Sequence, residues 1–192
     1  DEKDANDNLT GKRVTTSDYA SANYYYVNKS SLPKVYGGFN TSLSWKGFDL
    51  SAIFAYSIGG YIYNRDITMI LHNGSLEGRD WSTEILKRWT PENRYTDVPA
   101  LSTTSNNWNS ASTRFLQNNS YMRLKNLTLS YDLPKQWISK LALSSVQVFV
   151  QGDNLFTIHR NQGLDPEQGI TGITYYRYPA MRTISGGINL SF

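Results

Sequence analysis

Apolar and polar residues alternate along several stretches of this chain, most regularly over its last ten residues. Between Thr183 and Phe192, one face of an extended strand carries isoleucine, glycine, leucine and phenylalanine, and the other carries small polar residues. This pattern suits a membrane-spanning β-barrel, in which lipid covers the apolar face and a wet lumen covers the polar face. A half-buried strand of a soluble sheet produces the same alternation, so the ending alone leaves both interpretations open.

The same alternation predicts five long antiparallel strands that pair in sequence order. Strands of about ten residues have the length that a tilted barrel strand needs to cross a bilayer. The predicted strands are 34–45, 48–63, 119–133, 145–157 and 181–192.

The alternation also predicts which side chains face lipid and which face the lumen. The apolar, lipid-facing set is Phe39, Leu43, Phe54, Leu127, Leu129, Val148, Ile188 and Leu190. The polar, lumen-facing set is Asn40, Ser42, Ser51, Thr128, Gln147, Asn189 and Ser191. When the alternation is followed from Leu127 towards the start of this strand, however, the lipid-facing positions fall on Lys125 and Arg123. We therefore expect a β-bulge near Lys125 and Asn126 that resets the register.

The connections between the predicted strands alternate between short and long. Lys46 and Gly47 form a tight hairpin turn and 134–144 is a short link, whereas 60–118 and 158–179 are long loops. Outer-membrane barrels have short periplasmic turns and long external loops, so the two long loops should lie outside the cell. Within the first loop, residues 80–89 predict a short amphipathic helix with Ser82 as its N-cap.

Composition favours the barrel interpretation and argues against several functions. The mean hydropathy is −0.50, yet the chain has 14 tyrosines and five tryptophans, which are favoured where lipid meets water. A net charge of +3, scattered along the chain, argues against nucleic-acid binding. His72 and His159 are isolated and there is no cysteine. We therefore expect no enzymatic activity, no cofactor and no metal.

Five strands are too few to close a barrel. The smallest barrels have about eight strands, and an open edge in lipid leaves backbone groups unpaired at a cost of several kcal/mol each. We therefore expect the first and last strands to pair with strands outside this chain, as part of a larger barrel.

Six sequence segments, in this order, resemble the C-terminal portion of the SusC/RagA family of TonB-linked outer-membrane transporters. Each is common alone, but six in order between residue 31 and the terminal Phe192 form a specific match. They are SLPKVYGGF at 31–39, WKGFDLS at 45–51, NSYMRLKNLTLSY at 119–131, GDNLFT at 152–157, GLDPE at 163–167 and YPAMRT at 178–183.

The resemblance implies an all-β fold: the last five or so antiparallel strands of a barrel of about 22 strands, with long extracellular loops that contain short helices. Residues 1–33 would be an extracellular loop region, and 34–192 the C-terminal part of the barrel. The family imports glycan oligomers or peptides through the cell outer membrane. The implied partners are the remainder of the barrel and its plug, a SusD-like lipoprotein lid, TonB through the absent N-terminal part, and lipid and lipopolysaccharide. Ile188, Leu190 and Phe192 resemble a barrel-assembly signal.

Large rings and acidic residues in the long loops are the candidate contacts for a substrate or a lid. Aromatic side chains often dominate interfaces, although each ring could equally stabilise its own loop. The candidates are Trp81, Trp89, Trp108, Asp165, Glu167, Tyr175 and Tyr176.

Two other functions remain open from the sequence. A self-contained small outer-membrane barrel, acting as an adhesin or a lipid enzyme, would need three more strands than the pattern provides. A soluble glycan-binding β-module would need the apolar strand faces to be buried against one another.

Overall fold

The computed structural model describes residues 5, 6, 8, 10–12, 18–74, 76, 78–102, 104, 107–139, 143–161, 163, 165–167, 169–174 and 176–192. Most of its regular structure is β-strand. The strands are β1 (Val35–Trp45), β2 (Phe48–Ile58), β3 (Tyr61–Tyr63), β4 (Leu116–Asn118), β5 (Tyr121–Asp132), β6 (Ser145–His159) and β7 (Thr183–Ser191). The helices are α1 (Arg65–Ile70), α2 (Lys135–Ile138) and the 3-10 turns Thr83–Lys87, Asn107–Asn109 and Thr113–Phe115.

Five strands form one antiparallel sheet in the order β1-β2-β5-β6-β7, so the predicted pairing in sequence order is confirmed. The predicted second strand, 48–63, is too long. Gly59 and Gly60 take φ angles of +82° and +76°, which end β2 at Ile58, and the chain then enters β3. β3 and β4 form a separate two-stranded sheet.

The first hairpin has the tight turn that the sequence predicts. Lys46 and Gly47 have φ angles of +48° and +87°, and Trp45 pairs directly with Phe48 across the turn. Two consecutive positive φ angles define a type I′ turn, whose twist matches that of the flanking strands. This turn fixes the register of β1 on β2 and therefore the face on which each side chain lies.

One face of the five-stranded sheet exposes apolar side chains in rows that cross the strands. Six of the eight residues predicted for this face are exposed, namely Phe39, Leu43, Leu129, Val148, Ile188 and Leu190. Phe54 and Leu127 are half-buried, because neighbouring strands cover them. The Phe54 ring also stacks on Phe39, with 4.7 Å between the ring centroids. These side chains are not buried against a second sheet, as a soluble sandwich would require.

The predicted polar set occupies the opposite face, since every member is out of phase with the apolar rows. Asn40, Ser42, Asn189 and Ser191 are exposed, whereas Ser51, Thr128 and Gln147 are half-buried. Gln147 links three strands across this face, since its side chain donates to Asp132 of β5 at 2.9 Å and accepts from Asn189 of β7 at 3.2 Å. The two faces therefore differ in polarity as a barrel wall does.

A bulge at Lys125 confirms the predicted change of register. On β2, Ile53 pairs with Asn126 and the next residue, Phe54, pairs with Leu124, so Lys125 has no partner position. Strand β6 also bulges opposite this point, where Asn154 has a φ angle of +53°. Leu124 consequently stays on the apolar face, while Arg123 moves to the polar face.

The chain divides into two compact units. The first consists of Asp1–Lys29 and Tyr63–Leu116, and the second consists of Ser30–Ile62 and Gln117–Phe192. The first unit has a small core that includes Ile85, Val98 and Phe115. No helix in the described ranges is long and apolar enough to cross a membrane.

The predicted helix over 80–89 is shorter than expected. Ser82 does cap it, accepting the N–H of Glu84 at 3.3 Å, but only the 3-10 turn Thr83–Lys87 forms. The carbonyl of Lys87 accepts hydrogen bonds from the side chains of Asn93 and Thr96, at 3.0 and 2.6 Å. These bonds occupy the carbonyl that a continuing helix would use, so the helix ends there.

Leu129→Arg tests the assignment of the apolar face. Because Leu129 is exposed on the apolar face of β5, three residues from the end of the strand, we expect the charge to destabilise the full-length barrel in lipid, with about 2–4 kcal/mol, the cost at the bilayer midplane, as the upper limit. Denaturant unfolding in vesicles measures this loss. Ser42→Arg on the polar face is the matched control and should change stability little. Equal losses for the two variants would contradict the assignment.

Candidate functional site

Arg123 lies at the centre of a buried cluster of charges on the polar side of β5. The bulge at Lys125 places it there, and only 3% of the residue is exposed. Its Nε donates to Oγ1 of Thr157 on the neighbouring strand at 2.8 Å. Its two terminal nitrogens donate to Asp165 at 2.5 Å and to Glu167 at 2.8 Å. One guanidinium thus joins two strands to the loop that follows β6.

Asp165 is the most buried acid of this cluster, with 7% of its side chain exposed. Its carboxylate also accepts the backbone N–H groups of Glu167 and Ala180, at 2.9 and 2.6 Å. Burial acts to raise the pKa of Asp165, but these two N–H donors and the Arg123 guanidinium outweigh it. The pKa of Asp165 therefore lies below its ordinary value of 3.8, and the residue is charged at neutral pH.

Glu167 connects Arg123 to a second cation. Its carboxylate accepts from Nζ of Lys125 at 2.5 and 2.6 Å. The Glu167 and Lys125 side chains are 37% and 33% exposed, so water screens this pair more than it screens the buried pair of Arg123 and Asp165. We call Arg123, Lys125, Asp165 and Glu167 the ion-pair cluster.

Polar side chains outside the ion-pair cluster also hold the loop 161–182 to the rest of its unit. Asn119 donates to the carbonyl of Pro166 at 2.9 Å, and Asn154 donates to that of Met181 at 3.1 Å. Ser31 donates to the carbonyl of Ile170 at 2.8 Å. The loop is therefore attached near both ends and in its middle, and a cavity of about 560 Å³ lies between it and β6.

Two of the candidate tryptophans form hydrogen bonds within their own unit. The indole N–H of Trp81 donates to Nδ1 of His72 at 2.9 Å, and that of Trp108 donates to the carbonyl of Leu71 at 2.6 Å. Arg114 also stacks on Trp108, 3.6 Å from the ring centroid. Both rings thus contribute to the packing of this unit, although Trp81 remains 44% exposed.

Trp89 has a different environment. It is 44% exposed, and its indole forms no hydrogen bond with any other described residue. Tyr176 is 69% exposed and has an unusual φ angle of +34°, while Tyr175 lies outside the described residues. The structure thus places Trp81, Trp89 and Trp108 in one unit and Asp165, Glu167 and Tyr176 in the other.

The residues that resemble an assembly signal all have exposed side chains at the outer strand of the sheet. Ile188 and Leu190 lie opposite Val148 and Val146 on the apolar face of β7, and Phe192 follows the strand with 92% exposure. Their proposed role in assembly stays a prediction.

Arg123 is the central residue that the site prediction missed. The sequence contained a signal for it, because the apolar alternation of β5 fell on two cations, Arg123 and Lys125. Such a break predicts a bulge or a buried charge, but it does not identify the partner. Among the described residues, no group of three or more histidine or acidic side chains lies close enough together to bind a metal.

Comparisons with known proteins agree with this geometry. The chain is 33% identical over 81% of its length to TonB-dependent receptor P3 of Formosa agariphila, and 30% identical over 85% to receptor P26 of the same organism. It is 27% identical over 87% to TonB-dependent receptor SusC of Bacteroides thetaiotaomicron. The chain spans 16–17% of the length of these relatives. No protein-family model matches it.

Solved structures of the RagAB peptide importer share the fold. In its closed-closed state the match covers 100% of this chain and 20% of the importer chain, with a TM-score of 0.80 and 35% identity. In its open-open state the match covers 93% and 19%, with a TM-score of 0.79 and 36% identity.

Protonation of Asp165 should release the loop 161–182. Since the folded pKa is lowered, the carboxylate stabilises the anchored loop above pH 3.8 and loses this effect as the pH falls through the folded pKa. We expect pepsin to cleave the loop of the full-length protein only below pH 3.8. Asp165→Asn should let pepsin cleave the loop at pH 5 as well, and a wild-type loop that is cleaved at pH 5 would contradict this.

Asp165→Asn and Glu167→Gln should differ in their effect at neutral pH. The first leaves a buried guanidinium short of a partner and should make loop opening easier by about 3 kcal/mol, or roughly 100-fold in cleavage rate. The second removes a half-exposed charge and should cost less than about 1 kcal/mol. Limited proteolysis of the full-length protein compares them. Equal cleavage rates would show that the burial of Asp165 is unimportant.

Trp81→Phe should destabilise the first unit by about 1 kcal/mol, because it removes the shorter of the two hydrogen bonds that Nδ1 of His72 accepts and leaves the 3.4 Å bond from the backbone N–H of Leu76. Trp89→Phe is the matched control and should affect stability less, since that indole is equally exposed but has no hydrogen-bond partner among the described residues. Protease susceptibility of the loop 63–116 in the full-length protein measures both. A greater loss for Trp89→Phe would overturn this distinction.

Proposed function

This chain belongs to the SusC/RagA-type TonB-dependent receptors of the outer membrane, and we propose that it forms the C-terminal strands of an importer for glycan oligomers or peptides. The observation that carries the proposal is the five-stranded antiparallel sheet with one exposed apolar face, whose match to RagAB extends over the whole chain. Peptide import is the activity named for RagAB, which is 35% identical in the matched region. The similarity to SusC supports membership of the same class of transporter.

The two sheet edges support a role as one segment of a closed barrel. β1 and β7 are the outermost strands of the sheet, and each has a neighbour on one side only in the described part of the chain. In lipid, unpaired edge groups cost several kcal/mol each, so both edges need strands from the rest of the transporter. Energy from TonB would reach the barrel through parts that lie outside this chain.

We assign the loop 161–182 to a fixed rim of the importer. Asp165 and Glu167 bind Arg123, and further hydrogen bonds from Asn119, Asn154 and Ser31 hold the loop along its length. In this proposal the ion-pair cluster positions the rim, and its acids are not themselves contacts for the substrate.

Trp89 is the ring best suited to contact a SusD-like lid or a substrate. It is exposed, and its indole N–H has no partner among the described residues, so its full hydrogen-bonding capacity is available. Leu86 and Tyr95, near it in sequence, are 72% and 101% exposed. Aromatic side chains of this kind supply much of the binding energy of interfaces.

Uptake by cells tests the proposed function. A strain that lacks the full-length gene should lose import of either labelled oligopeptides or labelled glycan oligomers, and the restored gene should return it. Import should stop when TonB is depleted, because the transporter depends on that energy source. Loss of neither substrate class, or uptake that continues without TonB, would contradict the proposal.

Trp89→Ala in the full-length transporter should weaken the binding of the lid or of the substrate by about 1–2 kcal/mol, or roughly 5- to 30-fold in affinity. Trp108→Phe is the matched control, since that ring packs within its own unit. Co-purification of the outer-membrane lipoprotein and substrate titration measure the two affinities. Unchanged values for Trp89→Ala would remove it from the contact surface.

A further inference from the structure

An apolar groove crosses the apolar face of the five-stranded sheet, at the strand ends far from the hairpin turn at Lys46 and Gly47. Its volume is about 590 Å³, and its lining is mostly carbon. Side chains from four strands contribute to it. They are Val35 of β1, Tyr56 and Ile58 of β2, Met122 of β5 and Ile158 of β6.

A glycine explains how the groove forms. Tyr56 pairs with Gly37, and its ring lies over that glycine, where an added Cβ would come within 3.0 Å of the phenol oxygen. The ring thus extends towards β1. Met122, which pairs with both Tyr56 and Ile158, lies half-buried between them, while Ile158 remains 64% exposed.

Arg160 gives one end of the groove a positive charge. It directly follows β6 and continues the alternation that places Phe156 and Ile158 on the apolar face. The residue is exposed and forms no ion pair within the described part of the chain. An apolar groove that ends at an arginine with no ion-pair partner among the described residues complements an amphiphile with a hydrocarbon chain and an anionic headgroup.

The position of the groove indicates in which leaflet this amphiphile lies. The short connections, at the Lys46 and Gly47 turn and around α2, lie at the opposite ends of the strands. In outer-membrane barrels that end faces the periplasm, so the groove lies in the outer leaflet.

We propose that this groove binds one acyl chain of a phosphorylated glycolipid of the outer leaflet, and that Arg160 binds its phosphate. The charge-assisted hydrogen bonds from the guanidinium select an anionic headgroup over a zwitterionic one. The apolar side chains bind the hydrocarbon without regard to the headgroup. This inference rests on the outer-membrane location and orientation of the chain and does not depend on what the transporter imports.

Native mass spectrometry of the full-length transporter, stripped of lipid and titrated with lipid A or phosphatidylethanolamine, tests the proposal. Wild type should bind lipid A at least about 5-fold more tightly. Arg160→Ala should weaken the binding of lipid A about 5-fold and leave the binding of phosphatidylethanolamine unchanged. A ratio of about 5-fold corresponds to about 1 kcal/mol, the contribution of one arginine near a membrane surface. Ile158→Ala should weaken the binding of both lipids by the same factor.

Arg182→Ala is the matched control, because Arg182 is also exposed and follows a loop but lies outside the groove. It should bind both lipids as wild type does. Heat-modifiable migration on gels confirms that each variant forms a barrel. The proposal is overturned if wild type shows no preference for lipid A, if Arg160→Ala retains it, or if Arg182→Ala loses it to the same extent.

Discussion

A β-strand places successive side chains on opposite faces, so a single extra residue decides on which side a charge lies. In β5 that residue is Lys125. Without the bulge, Arg123 would share the apolar face with Leu127 and Leu129, where lipid would surround a guanidinium at a cost of a few kcal/mol. With it, Arg123 reaches the polar face and meets Asp165 and Thr157. The apolar face and the anchored loop both depend on this one insertion.

The two compact units are stabilised by different interactions. The sheet leaves its apolar face for lipid and uses buried charge to fix the loop 161–182. The unit containing Tyr63–Leu116 instead builds a small core of its own, in which Trp81 and Trp108 donate to His72 and to the Leu71 carbonyl. Rings that look like ligand contacts in sequence can therefore be structural, which leaves Trp89 as the better candidate for a partner.

Much of the fold could be predicted because strand periodicity is local. Alternation located all five long strands, and charges at Arg123 and Lys125 located the bulge. The end of β2 was misplaced although Gly59 and Gly60 signalled it, since apolar residues continue in β3. The ion-pair cluster could not be assembled from sequence, because Arg123 and Asp165 are 42 residues apart and meet only in the folded chain.

Spin labels on the two faces of the sheet test the central claim most directly. The chain contains no cysteine, and any cysteine elsewhere in the full-length protein can be replaced by serine before single cysteines are introduced at Leu129, Val148 and Ile188 and at Thr128, Gln147 and Asn189. In the full-length protein reconstituted into bilayers, the first three labels should be relaxed by oxygen dissolved in lipid. The second three should respond to a water-soluble nickel complex. Water accessibility on both faces, or a reversed pattern, would contradict a lipid-facing barrel wall.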